Sequence, residues 1–352
     1  MNVDELRKVA AMGRPIYREE IQGDLSGIDL SQAVLVEVNF DEATFGSCLL
    51  KNSALSNCDL SGHNLSKAQL TGAVFEDCSL REVDLSGAKL LRTAFINCDM
   101  ANVNFSESKL GSITVVDCDL SASNWNSSFL SDSAITQCDV NGASFEKANW
   151  QNFVMNEVDL RSCLWNPIFV ARGLMLKCNF SSLDLARSRY LNCSFNQSTW
   201  EDTYCVDAAM VQCLFVGCVF QRVDFSRAEL TGSIFSGASL SAVDFSKSLL
   251  QTTNFDSSGC DKVIFDGANL SKARFVNAII NNSSFIDASL SQSNFSNSDI
   301  KSSPFDGSDL LHSNWHNVAH DLSENKMKSS GVLPTDTERL KAELSLERLE
   351  LA

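Results

Sequence analysis

The stretch NCDLSGHNLSKAQL, residues 57–70, carries its leucines, Leu60, Leu65 and Leu70, at intervals of five. An α-helix repeats its buried face every 3.6 residues and a β-strand every 2, so a spacing of five fits neither element. The same spacing extends along the chain: every position divisible by five from Leu25 to Trp315 is apolar, 59 positions without an insertion or a deletion. The sequence is therefore built from a five-residue repeat.

The other positions of each pentad also follow a rule. The residue two before the large apolar one is small in most pentads, as in Ala68, Ala73 and Ala88. The remaining three positions hold mainly Ser, Asn, Asp, Gly, Thr and charged residues. Each pentad is therefore predicted to place one large and one small side chain in the core and three toward solvent.

A second period of twenty residues lies on top of the first. The triplet Asn57-Cys58-Asp59 is matched by triplets ending at Asp99, Asp119 and Asp139. Twenty residues are four pentads, which predicts a coil with four short sides, each side one pentad long. Backbone groups of one coil can then pair with those of the next coil at about 4.8 Å, the spacing of strands in a sheet.

Pentads such as Cys58-Asp59-Leu60-Ser61-Gly62 and Ala268-Asn269-Leu270-Ser271-Lys272 resemble the pentapeptide-repeat proteins, whose pattern is Ala-(Asp/Asn)-Leu-x-x. The resemblance covers residues 21–318, about 85% of the chain. It implies an all-β fold: a right-handed quadrilateral (four-sided) parallel β-helix solenoid, here of about fifteen coils with short helical ends. Cys and Ser often replace the small Ala, and Trp or Met occupies some of the large core positions.

The chain divides into three predicted regions. Residues 1–20 form an N-terminal helical cap, with a helix over 2–12 and Ile16, Tyr17 and Ile21 completing the lid. Residues 21–318 form the β-helix, and residues 319–352 form a linker and a C-terminal amphipathic helix. This last helix either caps its own chain or forms a homodimer, and its apolar stripe is Leu340, Leu344, Leu346, Leu349 and Leu351.

Composition favours a bacterial cytoplasmic protein, with a secreted effector as an alternative. No run of eighteen apolar residues is present, so no membrane span is expected, and the N-terminus does not read as a signal peptide. Eleven of the thirteen cysteines occupy the small inward position. We expect all of them to be buried and reduced, with Cys58, Cys78, Cys98, Cys118 and Cys138 stacked along one side.

The sequence contains none of the common catalytic or phosphate-binding motifs, so we expect no enzyme, no cofactor and no metal. His312, His316 and His320 are four residues apart, but strand geometry should separate the first two. Asp99, Asp119, Asp139 and Asp159 should stack along one edge. They either bond to their own local backbone, which we favour, or gather a cation.

One side of the coil, centred on residues 35, 55, 75 and onward, differs from the others. About half of its outward positions between residues 34 and 236 are Val, Ile or Leu, whereas the opposite side has almost none before Leu164. Exposed apolar surface of this extent usually marks an interaction site. The predicted protein-binding residues are Val34, Val36, Val74, Ile96, Val116, Val154, Leu174, Leu176, Leu214, Val216 and Ile234.

The favoured function is therefore a non-catalytic scaffold or adaptor that binds a protein partner and not nucleic acid. The N-terminal Gly13-Arg14-Pro15-Ile16 and the Gly23–Leu30 segment resemble pentapeptide-repeat proteins encoded with bacterial type VI secretion systems, which implies a secretion-system or effector component as partner. The alternative is a DNA mimic acting on DNA gyrase, as in the quinolone-resistance class. The charge argues against this alternative. The predicted rod is about 70 Å long, and a DNA duplex of that length carries roughly 40 phosphates, whereas the net charge of this chain is −16.

Overall fold

The computed structural model of the chain describes residues 1–40, 43–322 and 331–350, with side chains described as far as residue 344 in the last helix. The chain divides into two compact units, Met1–Asp184 and Leu185–Ala352. Each unit is a parallel β-solenoid whose coils have four sides of five residues. The predicted all-β, four-sided fold with short helical ends is confirmed.

The core consists of the positions that set the five-residue period. All 59 large apolar residues from Leu25 to Trp315 are buried, with at most 3% of each residue exposed. Aromatic rings stack from coil to coil in unit 2. The ring centroids of Phe235 and Phe255 lie 5.0 Å apart with the rings nearly parallel, and those of Phe255 and Phe275 lie 4.9 Å apart. Burying one large side chain per pentad contributes about 1.5–3 kcal/mol each to the stability of the coil.

The first unit begins with helix α1 (Val3–Ala11), close to the predicted span. Asn2 caps it through a reciprocal capping box with Glu5. Leu6 is fully buried, as are Ile16 and Ile21 at the start of the coils. Tyr17, in contrast, was expected in the lid but is 59% exposed, because it lies at an outward position beside Val36.

Sixteen short strands follow among the described residues of unit 1. They are β1 (Ile16–Tyr17), β2 (Gly23–Asp24), β3 (Val34–Val36), β4 (Ala43–Thr44), β5 (Ala54–Ser56), β6 (Val74–Glu76), β7 (Lys89–Leu91), β8 (Ala94–Ile96), β9 (Lys109–Gly111), β10 (Thr114–Val116), β11 (Phe129–Ser131), β12 (Ala134–Thr136), β13 (Asn149–Gln151), β14 (Val154–Asn156), β15 (Phe169–Ala171) and β16 (Leu174–Leu176). Strands β1, β3, β5, β6, β8, β10, β12, β14 and β16 form a nine-stranded parallel sheet, called sheet 1. Strands β7, β9, β11, β13 and β15 pair along a second side, called sheet 2. Apart from the first pair, where Ile16 lies beside Leu35, partners are twenty residues apart, as Val115 and Ile135 are.

The second unit contains β17 (Arg189–Leu191), β18 (Thr199–Glu201), β19 (Ala209–Val211), β20 (Val219–Gln221), β21 (Ser239–Ser241), β22 (Gly259–Asp261), β23 (Ile279–Asn281), β24 (Asp299–Lys301) and β25 (Ala319–His320). Strands β18 and β20–β25 form the seven-stranded sheet 3. Its pairing reaches His320, two residues beyond the expected end of the β-helix at residue 318. Helix α2 (Thr337–Glu350) follows, with the Asp336 carboxylate accepting the N–H groups of Glu338 and Arg339. Neither described helix has the length and apolar character needed to cross a membrane.

The corners of the coil require an unusual backbone conformation. The second residue after most core positions has a φ of about +50° to +73°, in the left-handed region. Glycine accepts this conformation at no steric cost, as at Gly237, whereas Ala122 adopts it at a cost of about 1–2 kcal/mol. The residue before the core position often fixes the turn: the Asn64 side chain accepts the Ser66 N–H at 2.9 Å.

Candidate functional site

The outward side chains of sheet 1 form the least charged surface among the three large strand-bearing sides. They make two columns, which we call the uncharged face: Val34, Ala54, Val74, Ala94, Thr114, Ala134, Val154 and Leu174, then Val36, Ser56, Glu76, Ile96, Val116, Thr136, Asn156 and Leu176. Eight three-residue strands with two outward residues each give sixteen side chains, and only Glu76 is charged. The face therefore lies on unit 1 alone.

Strand conformation by itself does not explain the low charge. The tendency of branched residues to occupy strands does not act equally on all four sides, because some sides form three-residue strands and others form single bridges followed by turns. Sheet 3 has the same strand conformation as sheet 1 and serves as a comparison within the chain. Its six three-residue strands carry twelve outward residues, and four of them are charged: Glu201, Asp261, Asp299 and Lys301. Strands of this fold can therefore carry charged outward residues, and those of sheet 1 carry almost none.

The structure brings eight of the eleven predicted binding residues together on the uncharged face. Val34, Ile96 and Leu174 are 38%, 37% and 44% exposed. The other five are half-buried, because neighbours in the same column cover part of each side chain; they are Val36, Val74, Val116, Val154 and Leu176. The face therefore carries mainly aliphatic side chains at strand spacing, interrupted in the second column by polar residues such as Glu76 and Asn156.

The remaining three predicted residues, Leu214, Val216 and Ile234, belong to unit 2. Leu214 and Val216 are 36% and 40% exposed, and Leu214 forms a parallel bridge with Ile234. They do not lie on a sheet, because each coil forms a turn after this bridge. We therefore consider them as a separate small apolar patch of unit 2.

Carboxylates border the second column of the uncharged face. Glu37 forms an ion pair with Arg18 at 2.6 Å, and Glu157 forms one with Lys177 at 3.0 Å. Three further carboxylates have no ion pair within the described residues: Glu76, Asp77 and Asp117. The middle of this border therefore carries an uncompensated negative charge next to aliphatic surface.

Sequence reasoning missed several exposed apolar residues on other sides. Leu91 and Phe129 are 46% and 40% exposed on sheet 2, and Val219 and Ile279 are 49% and 54% exposed on sheet 3. These residues can be found in the sequence by inspecting the outward positions next to each core residue on all four sides of the coil. These sides carry more charged residues than sheet 1 does, such as Lys89 and Lys109 in the first column of sheet 2.

The stacked aspartates make local turns, as favoured from the sequence. Asp119 and Asp139 accept the backbone N–H two residues on, at 2.8 and 2.9 Å. Asp99 is paired with Arg81 at 3.0 Å. A hydrogen bond from Arg161 lowers the pKa of Asp159 below its usual value. Among the described residues, no group of three or more His, Cys, Asp or Glu side chains is arranged to hold a metal ion.

The thirteen cysteines are buried free thiols, as predicted. Cys58, Cys78, Cys98, Cys118 and Cys138 stack on successive coils, and the Cys98 N–H lies 3.4 Å from the Cys118 Sγ. Each of these thiols donates to a backbone carbonyl of sheet 1, for example Cys98 to Phe75 at 3.5 Å. Burial raises the pKa of the Cys48, Cys163, Cys178 and Cys218 thiols to about 12. These cysteines act as core filling.

The histidines at the C-terminal end do not converge on one site. His316 is buried, its Nε2 lies 3.0 Å from Glu343 of α2, and its Nδ1 accepts the Asp336 N–H at 3.2 Å. The contact joins α2 to the last coil. Of the predicted apolar stripe, Leu340 is half-buried and Leu344 is 50% exposed. Leu346, Leu349 and Leu351 lie outside the residues whose side chains the structure describes.

Comparison with solved structures finds several pentapeptide-repeat proteins. HetL, a pentapeptide repeat protein involved in heterocyst differentiation regulation from the cyanobacterium Nostoc sp., is 23% identical over 79% of this chain and 94% of its own, with a TM-score of 0.19. Full-length QnrB1, a plasmid-mediated fluoroquinolone resistance protein, is 16% identical over 63% of this chain and 98% of its own, with a TM-score of 0.24. Rfr23 from the cyanobacterium Cyanothece 51142 is 17% identical over 43% of this chain and 96% of its own, with a TM-score of 0.19. No curated protein sequence matches the chain.

Two sequence families describe the repeats directly. The family of pentapeptide repeats (8 copies) matches residues 21–52, 48–87, 201–237, 233–271, 264–301 and 273–310. The pentapeptide repeat region family matches residues 88–165. Together with the five-residue core period and the four-sided coils, these matches show that the chain belongs to the pentapeptide-repeat family.

Proposed function

We propose that this chain is a non-catalytic scaffold of the bacterial cytoplasm that binds a protein partner through the uncharged face of unit 1. The observation that carries the proposal is the contrast between sheets of the same conformation: one charged outward residue in sixteen on sheet 1, against four in twelve on sheet 3. A column of aliphatic side chains bordered by polar residues has the composition of a protein interface, with an apolar centre and a polar rim.

The partner class follows from the N-terminal resemblance. A component of a type VI secretion system, or an effector that such a system carries, is the first partner to test. The contact between His316 and Glu343 supports a capping role for α2 on its own chain. The alternative is a homodimer formed through α2, and a measurement of molecular mass in solution distinguishes the two.

The DNA-mimic alternative finds less support in the distribution of charge. A mimic of duplex DNA needs regularly spaced anions, whereas Arg81 and Arg161 neutralise two of the stacked aspartates of unit 1. Sheet 1 is nearly free of charge over eight strands. A gyrase-binding polyanion would not leave one of its four sides with a single charged outward residue over eight strands.

Two outward leucines allow a matched test. Leu174 and Leu164 both lie directly before a core residue, are 44% and 59% exposed, and sit on opposite sides of the coil. Aspartate is compatible with this position in a three-residue strand, because Asp299 occupies it in β24. In a pull-down from the native cytosol, Leu174→Asp should lose a partner that the wild type and Leu164→Asp retain. A Leu214→Asp variant reports separately on the patch of unit 2. Identical partners for wild type and Leu174→Asp would refute the proposal for the face.

A further inference from the structure

The dimensions of the uncharged face restrict what can cover it. Its eight three-residue strands are seven steps of about 4.8 Å, or roughly 34 Å from the first to the last. Its two columns lie two residues apart along each strand, about 6.6 Å. The surface is therefore long and narrow, with its long direction across the strands.

An α-helix has a footprint of this shape. A helix is about 10–12 Å wide with its side chains and rises 1.5 Å per residue, so roughly 22 residues span 34 Å. Its apolar stripe, repeated at i, i+3, i+4 and i+7, would lie along the two columns and contact Val74, Ile96, Val116 and Val154 near the middle. A broad sheet would extend past both columns and meet the polar corners.

The charges at the border add a second requirement. Asp77 and Asp117 occupy the same corner two coils apart, about 9.6 Å along the long direction of the face, and Glu76 lies next to Asp77. Residues i and i+7 of a helix lie on the same flank about 10.5 Å apart. Two lysines or arginines at that spacing would meet both aspartates. A second copy of this chain would instead bring the same three carboxylates to the contact.

We propose that the partner docks on the uncharged face as an amphipathic α-helix with basic residues along one flank, lying across the strands of sheet 1. The inference rests on the proposed function and specifies the chemistry of the partner. The aliphatic columns hold the apolar stripe of the helix, and Asp77 and Asp117 select the basic flank.

Three stapled peptides of 22 residues test the proposal. The first is helical, with leucines at i, i+3, i+4 and i+7 and lysines seven residues apart on one flank. The second replaces those lysines with glutamates. The third has the composition of the first in an alternating order that does not form an amphipathic helix. Fluorescence anisotropy with the full-length protein should show the first peptide binding about tenfold more tightly than either of the others.

Substitutions in the protein identify the contact. Asp77→Asn with Asp117→Asn should reduce the preference for lysine over glutamate to about twofold. It should not disturb the fold, because Asn57 and Asn97 occupy the same corner with a similar φ, and an asparagine at 77 can still accept the hydrogen bond that Asn97 donates to Asp77. Ile96→Asn should weaken binding of the first peptide about tenfold, and Asn156 already shows that this column accepts an asparagine. Leu164→Asp, on the opposite side, should change nothing.

The outcomes separate this inference from the proposed function. Equal binding of the three peptides, no binding of any, or a lysine preference that persists in the Asp77→Asn, Asp117→Asn variant would overturn the helical, basic partner. If Leu174→Asp still loses a cytosolic partner in that case, the face binds proteins of another shape and the proposed function stands. If Leu174→Asp also loses no partner, both fail.

Discussion

The carboxylate of Asp119 accepts the backbone N–H of Ser121 at 2.8 Å. The same bond over the same two residues recurs along both units, for example between Asp244 and Ser246 at 2.7 Å. It links the residue before a core position to the turn that follows, so each such aspartate or asparagine fixes one corner of the coil. The preference of these repeats for Asp or Asn before Leu or Phe therefore has a structural cause, and the stacked aspartates need no cation to explain them.

Removing one of these bonds should cost a measurable amount of stability. We expect Asp244→Ala to lower the free energy of unfolding by about 1 kcal/mol, because the Ser246 N–H loses its acceptor. Asp244→Asn should change it by less than about 0.5 kcal/mol, since the amide oxygen can accept the same bond. Urea unfolding of both variants checks this, and an equal loss for Asn and Ala would show that the bond is not the cause.

The corner conformation gives a second prediction. Gly237 has a φ of +64° and Gly259 is extended, and a Cβ added at either would have no atom within 4 Å. Gly237→Ala should therefore destabilise the protein by about 1 kcal/mol through the backbone alone. Gly259→Ala should be neutral or slightly stabilising. Thermal unfolding of the pair decides the point; equal shifts in Tm would mean that the left-handed conformation carries no cost here.

The fold could be predicted from the sequence because each turn of the solenoid repeats the same constraint. One deletion between Leu25 and Trp315 would move every later side chain to another position, so the unbroken register determines which residues are buried. The distribution of strands over the sides was less predictable. Leu174 lies in a three-residue strand, whereas Leu214, at the equivalent position of a later coil, lies in a single bridge before a turn. Both are leucines directly before a core residue, so the residue type at this position does not determine whether a strand forms.

The candidate site was predicted in part. The outward periodicity identified Val34 to Leu176 correctly as one side of the coil, but the assignment of residues to sides used only Val, Ile and Leu. That pattern does not include Ala54, Ala94 and Ala134, which are the uncharged residues between the aliphatic ones in the first column. It also gave no weight to Asp77 and Asp117, because the absence of an ion pair depends on which side chains the coils bring together.

The cysteines should be inert in the native protein. Cys58, Cys78 and Cys98 are each 2% exposed, and none of the thirteen is more than 6% exposed. Reaction with a thiol reagent at neutral pH should be slow and incomplete, and should reach thirteen thiols only after unfolding. Rapid labelling of most cysteines in the native state would contradict their inward placement.

The raised thiol pKa values make stability depend on alkaline pH. The thiols of Cys48, Cys163, Cys178 and Cys218 have a pKa of about 12 in the fold, against 9.0 when unperturbed. Between these values the unfolded chain releases protons that the folded chain retains, so the free energy of unfolding falls as pH rises from 9 to 12. Each thiol contributes a slope of roughly 1.4 kcal/mol per pH unit in that window.

A quadruple alanine variant at these four positions provides the control for the alkaline effect. Alanine fits the small inward position, as Ala68 and Ala88 show. Urea unfolding between pH 8 and pH 10.5 should give a shallower decline for the variant than for the wild type, whereas lysines and tyrosines contribute equally to both. Parallel declines would show that these thiols do not titrate on unfolding.

Site-specific photo-crosslinking can show whether a partner contacts sheet 1. An apolar photoreactive residue would replace Val116 at the middle of the uncharged face, Leu174 at its end, or Leu164 on the opposite side, in the full-length protein in its native cytosol. We expect one common crosslinked protein from positions 116 and 174 and none from position 164. Crosslinks from position 164 alone, or the same product from all three positions, would contradict it.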